Sequence, residues 1–399
     1  MALTALVGLS QFADLGVAMA LQQKLSEAWA RGDQAGLRRT YASGQRLLLG
    51  LGLGWLVVLA PAAWWLGRHA LTAPQGAGEL LSPLSWLIVA IAVAAGIPLS
   101  AGPRLAAAIQ LGWIHAGWTA VANLGTLLAV WALARTGNTG TVTIISLLCA
   151  SQVIPGWITA FSLSRRLRWQ GHARAETASV WQLWHAGRKF AAPNLAGALL
   201  TAAAPAAVAR FGGYAASAAF TALQRLFGTA QQAHAMVLAP LWPAWAEAAG
   251  HGEAAWVRHS LRLALGFTAM VCIALGVAAA AWPGIIHLWL GAGAPVPPAT
   301  YAWLMAVWIS ATMFGQTLSY FLLSLGRLER ITLHVAAAHV LTLAGVGLLG
   351  FFIGGTGVVT ALAAGAALGT LPLFVSESAT AWRELPRKNS TDDTSVVMS

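Results

Sequence analysis

The chain is built from uninterrupted apolar runs, each long enough to cross the hydrocarbon core of a bilayer in helical form. A helical span needs roughly 20 such residues. Runs of that length lie near residues 1–22, 44–67, 83–108, 113–134, 140–163, 190–211, 219–242, 260–286, 300–325, 330–354 and 356–376, about eleven in all. The apolar residues are continuous and do not alternate, which excludes a transmembrane β-barrel. Composition agrees: 58% of the 399 residues are hydrophobic and 9% are charged, against about 25% charged in a soluble domain. A soluble globular enzyme, a disordered chain and a secreted disulfide scaffold are all ruled out. The expected fold class is an all-α polytopic membrane protein.

The formal net charge of +11 is first a question of location, because Lys and Arg sort to cytoplasmic loops. Most of the basic residues fall on alternate breaks, among them Lys24, Arg31, Arg46, Arg104, Arg165, Arg166, Lys189, Arg258, Arg327 and Arg330. The other breaks hold only Arg68, Arg135 and Arg210, and Arg225 is left inside a span. This is the positive-inside pattern, and it places the C-terminal tail in the cytoplasm. Cys149 and Cys272 lie within apolar runs and read as buried, inert thiols. The first positive charge is Lys24, so no basic segment precedes the first run and no signal peptide is expected.

The chain repeats itself at a spacing of about 220 residues. Glu27-Ala28 matches Glu247-Ala248, Gly32 matches Gly252, Ala35 matches Ala255 and Arg38 matches Arg258, with Asp33 opposite Glu253. Each copy then enters an apolar run that ends in Trp-Leu-Gly, at 65–67 and at 289–291. Both copies fall on the cytoplasmic side, so a parallel repeat is expected, with its axis along the membrane normal. The expected domains are an N-terminal bundle over 1–163, a cytoplasmic linker over 164–189, a C-terminal bundle over 190–376 and a disordered tail over 377–399. With six spans in each half, the first half is one short.

Phe12-Ala13-Asp14-Leu15-Gly16, Ser26-Glu27-Ala28, Gly32-Asp33, Gln224-Arg225-Leu226-Phe227, the run from Pro240 to Ala248, and Leu288-Trp289-Leu290-Gly291 occur in that order. In these stretches the chain resembles the O-antigen and polysaccharide flippases of the multidrug/oligosaccharidyl-lipid/polysaccharide exporter superfamily. The resemblance covers most of the chain at low density and includes no catalytic signature. It implies two six-helix bundles around a central cavity, and a chain that here begins at the second helix of the first bundle. It also implies that a polyprenyl-diphosphate-linked oligosaccharide is turned from the cytoplasmic to the outer leaflet of the bacterial inner membrane.

Such a transporter needs cations for a diphosphate, polar surface for sugars, and helices that move. Arg225 is the leading candidate, because a charge at bilayer depth is costly and guanidinium matches phosphate. Asp14 is the acid well inside a span, placed to pair with an arginine, take part in a proton relay or cap a broken helix, while the Leu-Gly that follows it equally suits helix packing or a local turn; its repeat partner is His234. Gln224, Thr229, Gln231, Gln232 and His234 make one span unusually polar, so that stripe faces either a cavity or a partner helix. Arg46 and Lys189 begin spans on the cytoplasmic side, where they meet the diphosphate, anionic headgroups, or serve topology alone. The 20 Trp read mainly as interface belts, with Trp113 and Trp118 as sugar-stacking alternatives.

No phosphate-binding Gly-rich lysine motif, metal-ligand cluster or nucleophile elbow appears in the sequence. No cofactor is expected, and transport would draw on a proton or sodium gradient. Lipid-linked oligosaccharide, membrane lipids and the polysaccharide polymerase machinery are the expected partners, and nucleic acid is not. Three alternatives stand beside the flippase: an ion-coupled drug or metabolite exporter, a membrane glycosyltransferase or polymerase, and a scaffold that has lost transport. A single buried carboxylate argues against the first, and short outer loops argue against the second.

Overall fold

The computed structural model describes residues 14–70, 82–137, 140–167, 175–291, 296 and 298–385. The chain forms two compact units, Met1–Ala202 and Ala203–Ser399. Every regular element among the described residues is helical, as a chain that must satisfy its backbone inside a bilayer requires. Nine of the described helical segments are long and apolar enough to cross a membrane.

In the first unit, α1 (Val17–Ala30), α2 (Gln34–Ala70), α3 (Pro83–Leu99), α4 (Ala101–Ala108), α5 (Gly112–Thr136) and α6 (Thr141–Arg166) are followed by the start of α7 (Thr177–Leu238). Helix α1 carries Val17, Leu21, Leu25 and Ala28 on one stripe. These pack with Leu37 and Leu48 of α2, Leu105 of α4, Leu163 of α6 and Leu183 of α7. Its charged residues sit on the other face, where Lys24 Nζ donates to Glu27 Oε2 at 2.9 Å. Helix α2 starts at Asp33, whose Oδ1 accepts from Gly36 N at 2.7 Å and caps the first turn. Helices α4 and α6 meet backbone to backbone. A Cβ on Gly102 would lie 2.7 Å from the Gly156 carbonyl oxygen, and one on Gly156 would lie 2.8 Å from the Leu99 oxygen. Small residues permit this close approach, which drives helix association in lipid.

Helix α7 is not one straight rod. Gly213 has φ 87° and ψ 168°, outside the helical region. Ser217 Oγ donates to the Pro205 carbonyl at 2.8 Å, a pair that would stand about 18 Å apart along a straight helix. The chain therefore doubles back at Gly213, and α7 is two antiparallel limbs. These limbs match the separate spans expected over 190–211 and 219–242. The second unit continues with α8 (Leu241–Gly250), α9 (Ala254–Ala280), α10 (Trp282–Leu290), α11 (Ala299–Ser324), α12 (Thr332–Ile353), α13 (Gly355–Ala364) and α14 (Leu371–Glu384). A π-helical turn over Gly365–Thr370 joins the last two.

The repeat read from sequence has a geometric counterpart. Arg31 N bonds Glu27 O, Gly32 N bonds Trp29 O and Asp33 N bonds Ala28 O. In the second unit His251 N bonds Glu247 O, Gly252 N bonds Ala249 O and Glu253 N bonds Ala248 O. Gly32 and Gly252 both take left-handed backbone, with φ 67° and 77°. A second pair of turns repeats as well. Gln110 and Gly326 have φ 60° and 68°, and Leu111 N to Ala106 O and Arg327 N to Leu322 O are both 2.8 Å. The cores repeat too: Leu25, Ala28 and Leu37 of one correspond to Trp245, Ala248 and Val257 of the other.

Three expectations change. The stretch expected as a linker, 164–189, is helical through Arg166 and again from Thr177. Its end is held where Glu176 N donates to Ser43 Oγ at 3.1 Å. The tail expected to be disordered from 377 is helical through Glu384. Its acids meet basic partners: Arg327 bonds Glu384 and lies 3.7 Å from Glu377, and Arg330 lies 3.5 Å from Glu377. Residues 386–399 lie outside the described residues. The run expected at 1–22 does not continue as helix through Asp14. Leu15 and Gly16 are both left-handed, with φ 51° and 77°, so α1 begins only at Val17; residues 1–13 lie outside the described residues.

Candidate functional site

In the second unit the polar residues expected as one stripe divide between two faces. On the second limb of α7, Phe220, Leu223, Phe227, His234 and Leu238 are buried. Arg225, Thr229 and Gln232 are exposed at i, i+4 and i+7, forming one stripe on the opposite side. Gln224 and Gln231 are half-buried between the two faces. Thr229 Oγ1 donates back to the Arg225 carbonyl at 2.8 Å, which is a local helical bond. The guanidinium is therefore presented on an exposed polar face of a membrane helix.

His234 takes the partner-helix alternative. It is 1% exposed and lies inside the bundle. Its Nε2 lies 2.9 Å from Thr268 Oγ1 of α9, which in turn lies 2.9 Å from Thr317 Oγ1 of α11. The imidazole stacks on Phe267 with an interplanar angle of 4°. A polar side chain inside an apolar bundle needs such partners. This chain ties three helices together through hydroxyls, and it places His234 away from the face that carries Arg225.

In the first unit Asp14 is buried. Its Oδ1 accepts from Gly16 N at 2.9 Å, and its carbonyl accepts from Val17 N at 3.0 Å. Both bonds hold the left-handed turn that starts α1, the geometry of the local-turn alternative. The positive charge of Arg104 on α4 acts on Asp14, and also on His115 of α5. Arg104 Nη1 donates to the buried Gln22 Oε1 at 3.1 Å. His115 Nδ1 lies 3.2 Å from Thr159 Oγ1, which donates to the Pro155 carbonyl at 2.6 Å. Five residues from four helices and the turn before α1 thus share one polar neighbourhood. Sequence reading counted Arg104 among the cations that set topology. The missed signal was position: it follows Pro98 and Pro103 within an otherwise apolar run.

Arg46 is exposed on α2, and the stripe it heads is apolar, continuing through Leu53, Val57 and Trp64. That setting fits an arginine at a lipid interface and not one in a polar path. The backbone of Lys189 lies within α7, and its side chain lies outside the described residues. Several helix ends carry an arginine over an aromatic ring, as membrane-interface anchors do. Arg68 covers Trp64 at 5.3 Å, Arg135 covers Trp131 at 5.1 Å and Arg166 covers Trp113 at 5.6 Å. Trp113, one of the sugar-stacking alternatives, carries such an arginine over its ring. Among the described residues no group of three or more His, Cys, Asp or Glu is placed to hold a metal ion.

No family model matches the sequence, and no curated protein matches it. Solved structures do. An outward-facing multidrug resistance MATE family transporter of the MOP superfamily is 14% identical with a TM-score of 0.71, over 96% of this chain and 86% of that one. A MATE transporter from Vibrio cholerae is 15% identical with a TM-score of 0.70, over 95% and 86%. A MOP superfamily transporter from Pyrococcus furiosus, described as having a binding pocket of reverse polarity, is 14% identical with a TM-score of 0.67, over 96% and 86%. An all-helical membrane chain in two repeated units, with this breadth of structural likeness, has the MATE transporter fold.

Proposed function

We propose that the protein is a membrane transporter that moves a polyprenyl-diphosphate-linked oligosaccharide from the cytoplasmic to the outer leaflet of the bacterial inner membrane. The observation that carries this reading is Arg225, exposed beside Thr229 and Gln232 on an α7 limb whose other face is sealed in the bundle. A guanidinium at bilayer depth costs at least about 2.5–3.5 kcal/mol on insertion scales and is retained where it has an anionic or polar partner. Guanidinium pairs with phosphate oxygens through two parallel hydrogen bonds, and neighbouring hydroxyl and amide groups suit sugars. The protein makes and breaks no bond in this lipid. A proton or sodium gradient is the proposed driving force, the polymerase machinery the proposed receiver, and the cytoplasm the proposed side of the C-terminus.

The test is Arg225→Ala in the native host. Surface polysaccharide is expected to fall while the level of membrane-inserted protein holds, and Arg225→Lys is expected to retain part of it. Unchanged polysaccharide with Arg225→Ala would remove this residue from the mechanism. The second reading, an ion-coupled drug or metabolite exporter, is supported by structural likeness to multidrug transporters. Against it stands the acid inventory: Asp14 is the one buried carboxylate among the described residues, and it is engaged in a turn. Dye efflux that depends on the gene, with surface polysaccharide intact in the deletion strain, would establish the exporter instead.

A further inference from the structure

Two arginines of α9 converge on one indole, at the end of the second unit that carries the Gly252 turn. Arg258 and Arg262 stand one helical turn apart, and their guanidinium carbons lie 5.9 and 5.3 Å from the centre of the Trp382 ring of α14. Arg258 also donates to the Leu385 carbonyl just past the end of α14. Arg262 is exposed, and among the described residues its guanidinium makes no hydrogen bond or ion pair. The acids of α14 are engaged elsewhere: Glu384 bonds Arg327, and Glu377 lies 3.7 Å from Arg327 and 3.5 Å from Arg330. Like charges one turn apart on a helix repel. Beyond the pair, α9 presents an apolar stripe: Gly266, Met270, Ile273 and Val277 follow Arg262 on one face, and all are exposed. A Cβ on Gly266 would meet open space, so a notch lies one turn from the guanidinium. Both helices pack on α11, through Thr268 beside Thr317 and Phe374 against Gly315. On α14, Val375 is exposed two turns before Trp382.

We propose that Arg262, laid on Trp382 beside Arg258, holds the headgroup of one resident anionic phospholipid, whose acyl chains run along the α9 stripe. Charge selects this occupant. A phosphodiester accepts from the free edge of the Arg262 guanidinium, and its negative charge relieves the repulsion between the two arginines. A zwitterionic headgroup brings an ammonium of its own and relieves that repulsion less. Depth selects a lipid over a soluble anion. The apolar run of this span begins near residue 260, which sets Arg262 where headgroups meet hydrocarbon. The positive-inside pattern predicts the cytoplasmic leaflet for that boundary. The bound lipid touches α9 and α14 at the same end as the Arg258 bond to the Leu385 carbonyl, so occupancy stabilises the second unit. This site is independent of the flippase reading and of Arg225, which lies on α7. Arg135 over Trp131 is the contrast: a lone cation on a ring, without a second arginine.

The experiment is native mass spectrometry of the purified full chain in detergent, titrated with phosphatidylglycerol or with phosphatidylethanolamine of the same acyl chains. The parent is expected to bind a first phosphatidylglycerol more tightly than phosphatidylethanolamine, and to unfold at a higher temperature with it. Arg262→Gln is expected to weaken that first binding about fivefold, the share of one basic residue near an anionic headgroup, and to leave phosphatidylethanolamine unchanged. Arg262→Lys keeps the charge and loses the stacked fork, and is expected to fall between Arg262→Gln and the parent. Arg135→Gln is expected to change neither lipid. Because Arg262 is exposed, the lipid-free unfolding midpoint of Arg262→Gln is expected to match the parent's. If that midpoint falls, the ratio of the two lipids bound by Arg262→Lys decides in its place. A parent with no preference for phosphatidylglycerol overturns the inference, as does an unchanged preference in Arg262→Gln. An equal loss in Arg135→Gln overturns it too, since both arginines would then be general interfacial anchors. Displacement of the bound phosphatidylglycerol by an equimolar polyprenyl diphosphate would give the site to a transported lipid and not a resident one, and would also overturn it.

Discussion

Arg225 and His234 lie on one limb of a single helix and meet opposite requirements. The arginine is exposed, whereas the imidazole is 1% exposed and bonded to Thr268 and through it to Thr317. A buried polar group that loses its partner costs about 1–3 kcal/mol. Thr268→Val keeps the shape of the side chain and removes the hydroxyl, leaving His234 Nε2 unpartnered beside a dry Thr317. The expected outcome is a clear fall in the thermal unfolding midpoint in detergent. His234→Leu is expected to cost less than Thr268→Val, because it removes the imidazole that the threonine change would strand. Equal and negligible shifts in both would show that the hydroxyl chain contributes nothing to the second unit.

At the scale of elements, α4 against α6 is a close seam, where Gly102 and Gly156 bring backbones into contact. Gly156→Val would drive a branched side chain into the Leu99 carbonyl. Overpacking of this kind costs about 1–3 kcal/mol and here also parts the helix that carries Arg104. The expected outcome is a lower yield of monodisperse protein and a lower thermal unfolding midpoint, while Gly117→Val on α5, where a Cβ meets open space, leaves both unchanged. Much of this architecture was legible in the sequence, because apolar runs and the Gly32 and Gly252 breaks are local signals. The end of the chain was not. Glu377 and Glu384 read as a polar tail, and only their distant partners Arg327 and Arg330 show why that segment is helix. The Asp14 neighbourhood was half legible. An acid followed by Leu-Gly announces a turn, but Gln22, Arg104 and His115 are far apart in the chain and converge only on folding. His234 was legible only as a choice between a cavity and a partner helix, for a related reason. A polar residue on a polar helix reads as exposed until the hydroxyls opposite it, on α9 and α11, are known.

For the whole molecule, the repeated turns make a prediction about topology. From the turn at Arg31-Gly32, α2 crosses once and α3 with α4 crosses back to the turn at Gln110. Helices α5 and α6 make a second return, and the two limbs of α7 make a third, ending at the turn at His251-Gly252. With each return an even number of crossings, both copies of the turn are predicted to label from one face of the membrane. The basic residues Arg31, Arg38, Arg165, Arg166 and Arg258 lie near these returns, so the positive-inside rule predicts a cytoplasmic location for that face. With Cys149 and Cys272 replaced by Ala, single cysteines at Arg31→Cys and His251→Cys are expected to react with a membrane-impermeant maleimide only after the cells are opened. Thr136→Cys, at the far end of α5, is expected to react in intact cells. Labelling of His251→Cys from outside, with Arg31→Cys protected, would mean an odd number of crossings between the copies. The limbs of α7 would then not both span the bilayer, and the two units would repeat as inverted copies in place of parallel ones.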